Sequence, residues 1–149
     1  STLWLARAVQ SNGGHVTTID MNAERRKQAL VYFEQAGVSG QISSLLGDAR
    51  KILPNLQGTF DFVFIDAAKG EYLEYLELVL PLISPGGILV VDNVLFRGWV
   101  VPGAVFEPKY NRMVTGLREF LQSLSQNSEF MTSILPLGDG LAISIRKNV

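Results

Sequence analysis

Three aspartates, Asp20, Asp66 and Asp92, each close a short run of apolar or β-branched residues: HVTTID, FDFVFID and ILVVD. Runs of this kind read as strands. In open parallel sheets, ligands bind outside the carboxyl ends of the strands. Neighbouring strands stand about 4.8 Å apart, so acids at equivalent ends can converge on one ligand. A strand-end aspartate can equally cap a helix or a turn. Three in one chain, two of them after strongly apolar strands, favour a site.

Asp66, Asp92 and the adjoining Asn93 form the most informative group. Two carboxylates and an amide carbonyl are hard oxygen donors with no nitrogen or sulfur among them. That set suits Mg²⁺, with Mn²⁺ or Ca²⁺ as alternatives, and leaves coordination positions for water or substrate. The plainer reading is that Asn93 opens a loop and Asp92 caps a turn. Lys69 follows Asp66 by three residues. By position alone it is a solvated charge; beside a bound cation, an amine can act as a general base. Asp20 is ambiguous, because an acid after the second strand of a dinucleotide-type half binds ribose hydroxyls in nicotinamide enzymes as readily as in methyltransferases.

The elements that must position these residues alternate. Residues 1–10 read as a helix stopped by Gly13-Gly14, 15–20 as a strand, and 23–36 as a helix capped by Asn22, with Leu30, Phe33 and Ala36 facing inward. Residues 42–46 form a second strand, and a short helix after Gly47-Asp48-Ala49 closes at Pro54. Residues 60–66 predict a strand covered on both faces, 72–83 a helix broken by Pro85-Gly86-Gly87, and 88–92 a further buried strand. The connection over 93–108, with Trp99, two prolines and two glycines, is longer than most loops and reads as functional. The strongest amphipathic helix spans Tyr110 to Leu124, and strands at 130–135 and 141–145 close a hairpin through PLGDG. Alternating strands and helices imply an α/β doubly wound Rossmann-like sheet, mostly parallel, with one antiparallel hairpin strand at its edge. We expect a single domain over 1–149.

Composition narrows the classes. Of the 149 residues 47% are apolar and 18% charged, which is a globular rather than a disordered balance. A formal net charge of −1 supplies no basic field for a dedicated nucleic-acid binder. With no cysteine and only His15, disulfides, thiolate metal sites and a Ser-His-Asp triad are set aside. No apolar run approaches the roughly 20 residues of a membrane span, and no signal peptide is visible, so a cytoplasmic location is expected.

Taken together, these segments resemble the cation-dependent class I O-methyltransferases, the group containing catechol and caffeoyl-coenzyme-A O-methyltransferases. STLWLA resembles the stretch just after that family's glycine loop, GGHVTTIDMN its second strand, and LLGDA its adenine-edge segment. FIDAAKGEY, GGILVVDNVLFRG and LPLGDGLAISIRK follow in family order across essentially the whole chain. The resemblance implies S-adenosylmethionine as cofactor, with the ribose at Asp20 and neighbouring contacts from Met21, Gly47, Asp48 and Ala49. Further cofactor contacts are implied at Asp66 and Tyr75. It implies a divalent cation on Asp66, Asp92 and Asn93, and Lys69 as the catalytic base. It implies further that the first strand and glycine loop of the family lie outside this chain, so that the domain is N-terminally incomplete, the strand at 15–20 lacks a neighbour and the fragment by itself is inactive.

The expected partner is a small aromatic hydroxyl acceptor, catechol-like or hydroxycinnamoyl-type, with Phe96 and Trp99 walling its pocket or, for Trp99, serving packing or a dimer contact. A homodimer is expected, and no membrane partner. A hydroxylated tRNA uridine is the one nucleic-acid substrate kept in view. The rival readings are a nicotinamide-dependent oxidoreductase, which explains Asp20 but not the Asp66, Lys69, Asp92 and Asn93 set, and a non-catalytic remnant.

Overall fold

In the computed structural model, which describes residues 1–148, the chain divides into two units, Ser1–Asn55 and Leu56–Val149. The first holds α1 (Thr2–Gln10), β1 (Val16–Asp20), α2 (Ala23–Gln35), β2 (Ile42–Leu46) and the short α3 (Ala49–Ile52). β1 and β2 run parallel in register from Val16↔Ile42 to Asp20↔Leu46, so both strands end at one edge. The Asn22 side chain accepts from the Arg25 N–H and starts α2 as the sequence predicts. Its core gathers Ala6, Phe33 and Val38, flanked by Leu3, Val16, Ala29, Ala36 and Ile42. Leu30 departs from expectation and is 40% exposed. The buried stripe runs through Ala29, Phe33 and Ala36, and Leu30 stands one residue, about 100°, around the helix from it.

The second unit holds β3 (Phe60–Ile65), α4 (Tyr72–Val79), β4 (Ile83–Asp92), α5 (Asn111–Gln126), β5 (Phe130–Leu135) and β6 (Leu141–Arg146). Its strand order is β3-β4-β6-β5. β3 and β4 are parallel, while β6 is antiparallel to both β4 and β5. The fold is thus α/β with mixed pairing, but the antiparallel strand is interior and β5 forms the edge, which corrects the expected placement. α5 buries Val114, Leu117, Phe120 and Leu124, and Thr132 bonds both the Leu124 carbonyl and the fully buried Ser144 hydroxyl.

Two boundaries and the burial of one strand residue differ from the sequence reading. α4 stops at Val79, because Pro81 cannot donate into a further helical turn. β4 begins at Ile83 and carries Pro85-Gly86-Gly87 inside the strand rather than before it. Phe60 pairs with Ile83 while Phe62 pairs with Ile88, so the extra residues bulge out of the ladder. Gly86 sits at φ +77, and a Cβ on Gly87 would meet the Ile83 side chain and the Ser84 carbonyl at 2.8 Å. Ser84 Oγ steadies the bulge by donating to Asp61 at 2.7 Å. Finally, β3 is covered at Ile65 but leaves Phe62 42% exposed, so the expectation of two covered faces fails at that residue.

The β5–β6 turn docks on the segment leaving β4. Val94 N–H donates to the Gly140 carbonyl at 3.1 Å and Leu95 N–H to the Asp139 carbonyl at 2.9 Å. Gly140 sits at φ +88, and a Cβ there would run into the Leu95 side chain. Gly140→Ala should therefore cost roughly 2–4 kcal/mol, combining left-handed strain with overpacking. Urea unfolding measures this, and a loss below about 0.5 kcal/mol would show that Leu95 yields freely.

Candidate active site

Two groups of strand-end residues are built, one in each unit. In the second unit the register Ile65↔Val91 brings the next residues on each strand, Asp66 and Asp92, level with one another. Asn93 follows at φ 56, a left-handed conformation that asparagine tolerates better than most residues. Its N–H donates to Asp92 Oδ1 at 2.6 Å. Lys69, in the 3-10 turn ahead of α4, donates from Nζ to Asn93 Oδ1 at 3.2 Å and lies 6.0 Å from the centre of the Phe96 ring. The structure thus joins Lys69 to Asn93 directly and sets Asp66 beside Asp92.

Tyr72 ties the group to the core. It is 1% exposed, meets Phe120 edge-on at 5.5 Å and donates its hydroxyl to the Asp92 carbonyl at 2.9 Å. Burial first, and then the Asp66 and Asp92 carboxylates, push its phenol well above the ordinary tyrosine range. The hydroxyl therefore stays protonated and keeps donating. Tyr75, on the same helix, is buried and donates to Glu71.

Among the described residues, no three groups of the His, Cys, Asp and Glu types gather as a metal cluster. The third donor of a cation site would have to be the Asn93 amide. Asp66 is exposed, and no described residue bonds to its carboxylate. Two carboxylates and one amide oxygen at the mouth of a parallel strand pair fit a hard divalent ion held on one side and open on the other.

Residues 93–110 carry an aromatic group of their own. The Trp99 ring stands 5.1 Å from Phe96, 4.9 Å from Tyr110 and 5.8 Å from Phe106. Phe96 and Trp99 are half-buried in this group, so both pack within the segment as well as facing Lys69 through Phe96. Phe96 at φ 45 and Arg97 at φ 59 are also left-handed, and the Arg97 N–H is held by the Asp139 carboxylate.

In the first unit, Asp20 and Gly47 lie at the ends of β1 and β2, where the Gly47 N–H donates to the Asp20 carbonyl at 3.0 Å. Asp20 Oδ1 takes the Asn22 N–H at 2.8 Å and the Arg25 guanidinium at 3.4 Å. Among the described residues its Oδ2 has no partner. Met21 is 69% exposed beside it. Asp48 caps the turn that begins at Ala49, and both its oxygens are engaged by Arg50. Sequence reasoning passed over Arg50, Tyr72, Arg118 and Asp139. Only Asp139, in a Gly-Asp-Gly turn, carried a local signal; the others read as surface charge or core.

The Arg50 side chain first, and then its backbone N–H, hold the Asp48 carboxyl down at about 2, below its ordinary 3.8. A depressed carboxyl contributes stability that is complete above 3.8 and is lost as pH falls through about 2. The carboxylate is therefore constant across neutral pH. Arg50→Gln should return the Asp48 midpoint toward 3.8 in an NMR titration of the side-chain carbon. A midpoint still near 2 would assign the effect to the backbone alone.

The chain matches the family described as O-methyltransferase over residues 1–147. It is 35% identical over 156 residues to a catechol O-methyltransferase of Niastella koreensis, covering 99% of this chain and 68% of that protein. It is 34% identical to the probable caffeoyl-CoA O-methyltransferase 2 of Dictyostelium discoideum, covering 96% of this chain and 63% of that one. The crystal structure of the O-methyltransferase TomG of Streptomyces achromogenes, in complex with SAM, superposes with a TM-score of 0.87 at 30% identity, over 99% of this chain and 68% of that one. The chain thus spans about two thirds of the length of such relatives.

Proposed function

Since this chain belongs to the O-methyltransferase family, we propose that its protein transfers a methyl group from S-adenosylmethionine to a hydroxyl oxygen of a small catechol-like or hydroxycinnamoyl-type acceptor. The observation that carries the reading is the contact of Lys69 Nζ with Asn93 Oδ1 at the ends of β3 and β4, where Asp66 and Asp92 supply two further oxygen donors. The relatives' names, catechol and caffeoyl-CoA O-methyltransferase, supply the acceptor class. The SAM-bound neighbour supplies the cofactor.

In this reading Asp66, Asp92 and Asn93 hold a divalent cation, Mg²⁺ or else Mn²⁺ or Ca²⁺. Such an ion, when bound, supplies a Lewis acid that favours the oxyanion form of the acceptor hydroxyl. Lys69 takes the hydroxyl proton at Nζ, an atom whose 3.2 Å contact with Asn93 Oδ1 puts it within reach of the three oxygen donors. The Phe96 ring flanks the acceptor and excludes water. Asp20 offers Oδ2 to the ribose hydroxyls, Met21 covers the sugar, and Gly47, Asp48 and Ala49 meet the adenine edge. Because both Asp48 oxygens are occupied by Arg50, backbone groups of this turn contribute the larger part of that contact.

The same reading includes a homodimer and a cytoplasmic location. Val101 and Val105, 54% and 93% exposed, offer apolar surface for the first. No helix among the described residues is long and apolar enough to cross a membrane.

EDTA should abolish transfer in the intact protein, and added Mg²⁺ should restore it. Full turnover by a chelated, metal-free sample would remove the cation from the mechanism. Lys69→Met should lower kcat by roughly 10²–10⁴-fold while acceptor KM moves far less. If kcat survives and only KM rises, Lys69 positions the acceptor and another group takes the proton.

A further inference from the structure

The segment between β4 and α5 must hold an aromatic wall beside Lys69 with almost no regular structure of its own. Its turn over residues 96–101 is closed by Trp99 N–H to the Phe96 carbonyl at 3.0 Å and Val101 N–H to the Gly98 carbonyl at 3.1 Å. Such a turn ends on outward carbonyls, as a helix C-terminus does, and those acceptors need donors. No backbone donor among the described residues reaches the Trp99 or Val100 carbonyl.

Arg118, two turns into α5, supplies them. Its Nε donates to the Val100 carbonyl at 2.9 Å, and Nη2 to the Trp99 and Val101 carbonyls at 3.1 and 3.0 Å. A guanidinium is the one side chain with enough donors in a rigid fork to span three carbonyls, and its charge complements the negative end of the aligned peptide dipoles. All three acceptors are main-chain atoms, so Arg118 places the backbone from which the Trp99 ring projects. The Trp99 ring meets Phe96 at 5.1 Å, and the Phe96 ring faces Lys69 Nζ at 6.0 Å. A continuous line of contacts therefore runs from Arg118 on α5 to Lys69.

We propose that Arg118 is a positioning residue for acceptor selection: by holding the Trp99, Val100 and Val101 carbonyls it sets the Trp99–Phe96 wall against Lys69 and so fixes the width of the slot for a flat aromatic acceptor. This rests on the reading of Lys69 as the group beside the acceptor. It predicts that the loss of Arg118 acts on the acceptor and not on the cofactor.

The test uses the intact protein with catechol and caffeoyl-CoA as acceptors, S-adenosylhomocysteine as the binding probe, and hydrogen exchange of the backbone as a readout independent of turnover. Arg118→Gln should raise the KM of the better acceptor on the order of tenfold, the scale of one lost charged hydrogen bond. It should also narrow the preference between the two acceptors and leave S-adenosylhomocysteine affinity unchanged. Exchange should accelerate over residues 94–106 but not over 60–65 or 141–146. Arg118→Lys should restore little, because one ammonium does not span three carbonyls. Trp99→Ala should add less to acceptor KM in the Arg118→Gln background than on its own, since both act through one wall. An active wild type whose Arg118→Gln variant keeps its acceptor KM overturns the role of Arg118 alone. Equal acceleration of exchange throughout the unit, with weakened S-adenosylhomocysteine binding, overturns it as well, in favour of general stability. A wild type that binds S-adenosylhomocysteine yet methylates neither acceptor overturns the acceptor assignment itself, and this role with it.

Discussion

The candidate site of the second unit depends on one alignment, the parallel pairing of Ile65 with Val91. Because side chains alternate along a strand, a slip of one residue would send Asp66 or Asp92 to the opposite face and separate the two carboxylates. Every later contact inherits this alignment. Asn93 turns left-handed directly after β4 and meets Lys69 from there. The Tyr72 hydroxyl, buried and kept protonated, fastens the last carbonyl of β4 to the core of α4 and α5. The alignment is thus held from within by a donor that solvent cannot titrate in the neutral range.

The acids of the first unit are organised on a different principle. Asp20 spends one oxygen on its own chain and keeps the other, whereas Asp48 commits both to Arg50. Two aspartates that look equivalent as strand-end residues are therefore unequal as acceptors. A ligand hydroxyl can bond to Asp20 without breaking anything, while a ligand donor at Asp48 has to compete with a two-pronged guanidinium.

Much of this was legible in the residues. The alternation of apolar strands with amphipathic helices gave the α/β class, and the runs closed by Asp20, Asp66 and Asp92 were readable as strands ending at an acid, because both signals are local and periodic. The cap at Asn22 was readable for the same reason. What escaped was tertiary. Nothing around Arg118 distinguishes it from any arginine on the polar side of a helix; its meaning comes from three carbonyls some 18 residues away. Tyr72 reads as a core aromatic, and only the fold shows that its hydroxyl ends at Asp92. Pro85-Gly86-Gly87 reads as a break, since local rules have no means of anticipating that a partner strand will bridge it. The hairpin was visible as a hairpin, but which of its strands lies inside the sheet is decided by pairing with β4.

The bulge in β4 also bears on how this chain can vary. Phe60 pairs with Ile83 and Phe62 with Ile88, so the residues between bulge out of the ladder within β4. A residue gained or lost within 84–87 changes the size of that bulge and leaves the phase of 88–92 untouched. The same change after Ile88 would invert every side chain up to Asp92. A change of length before Ile88 would thus leave the register of the acid-bearing end of β4 intact, whereas one after it would not.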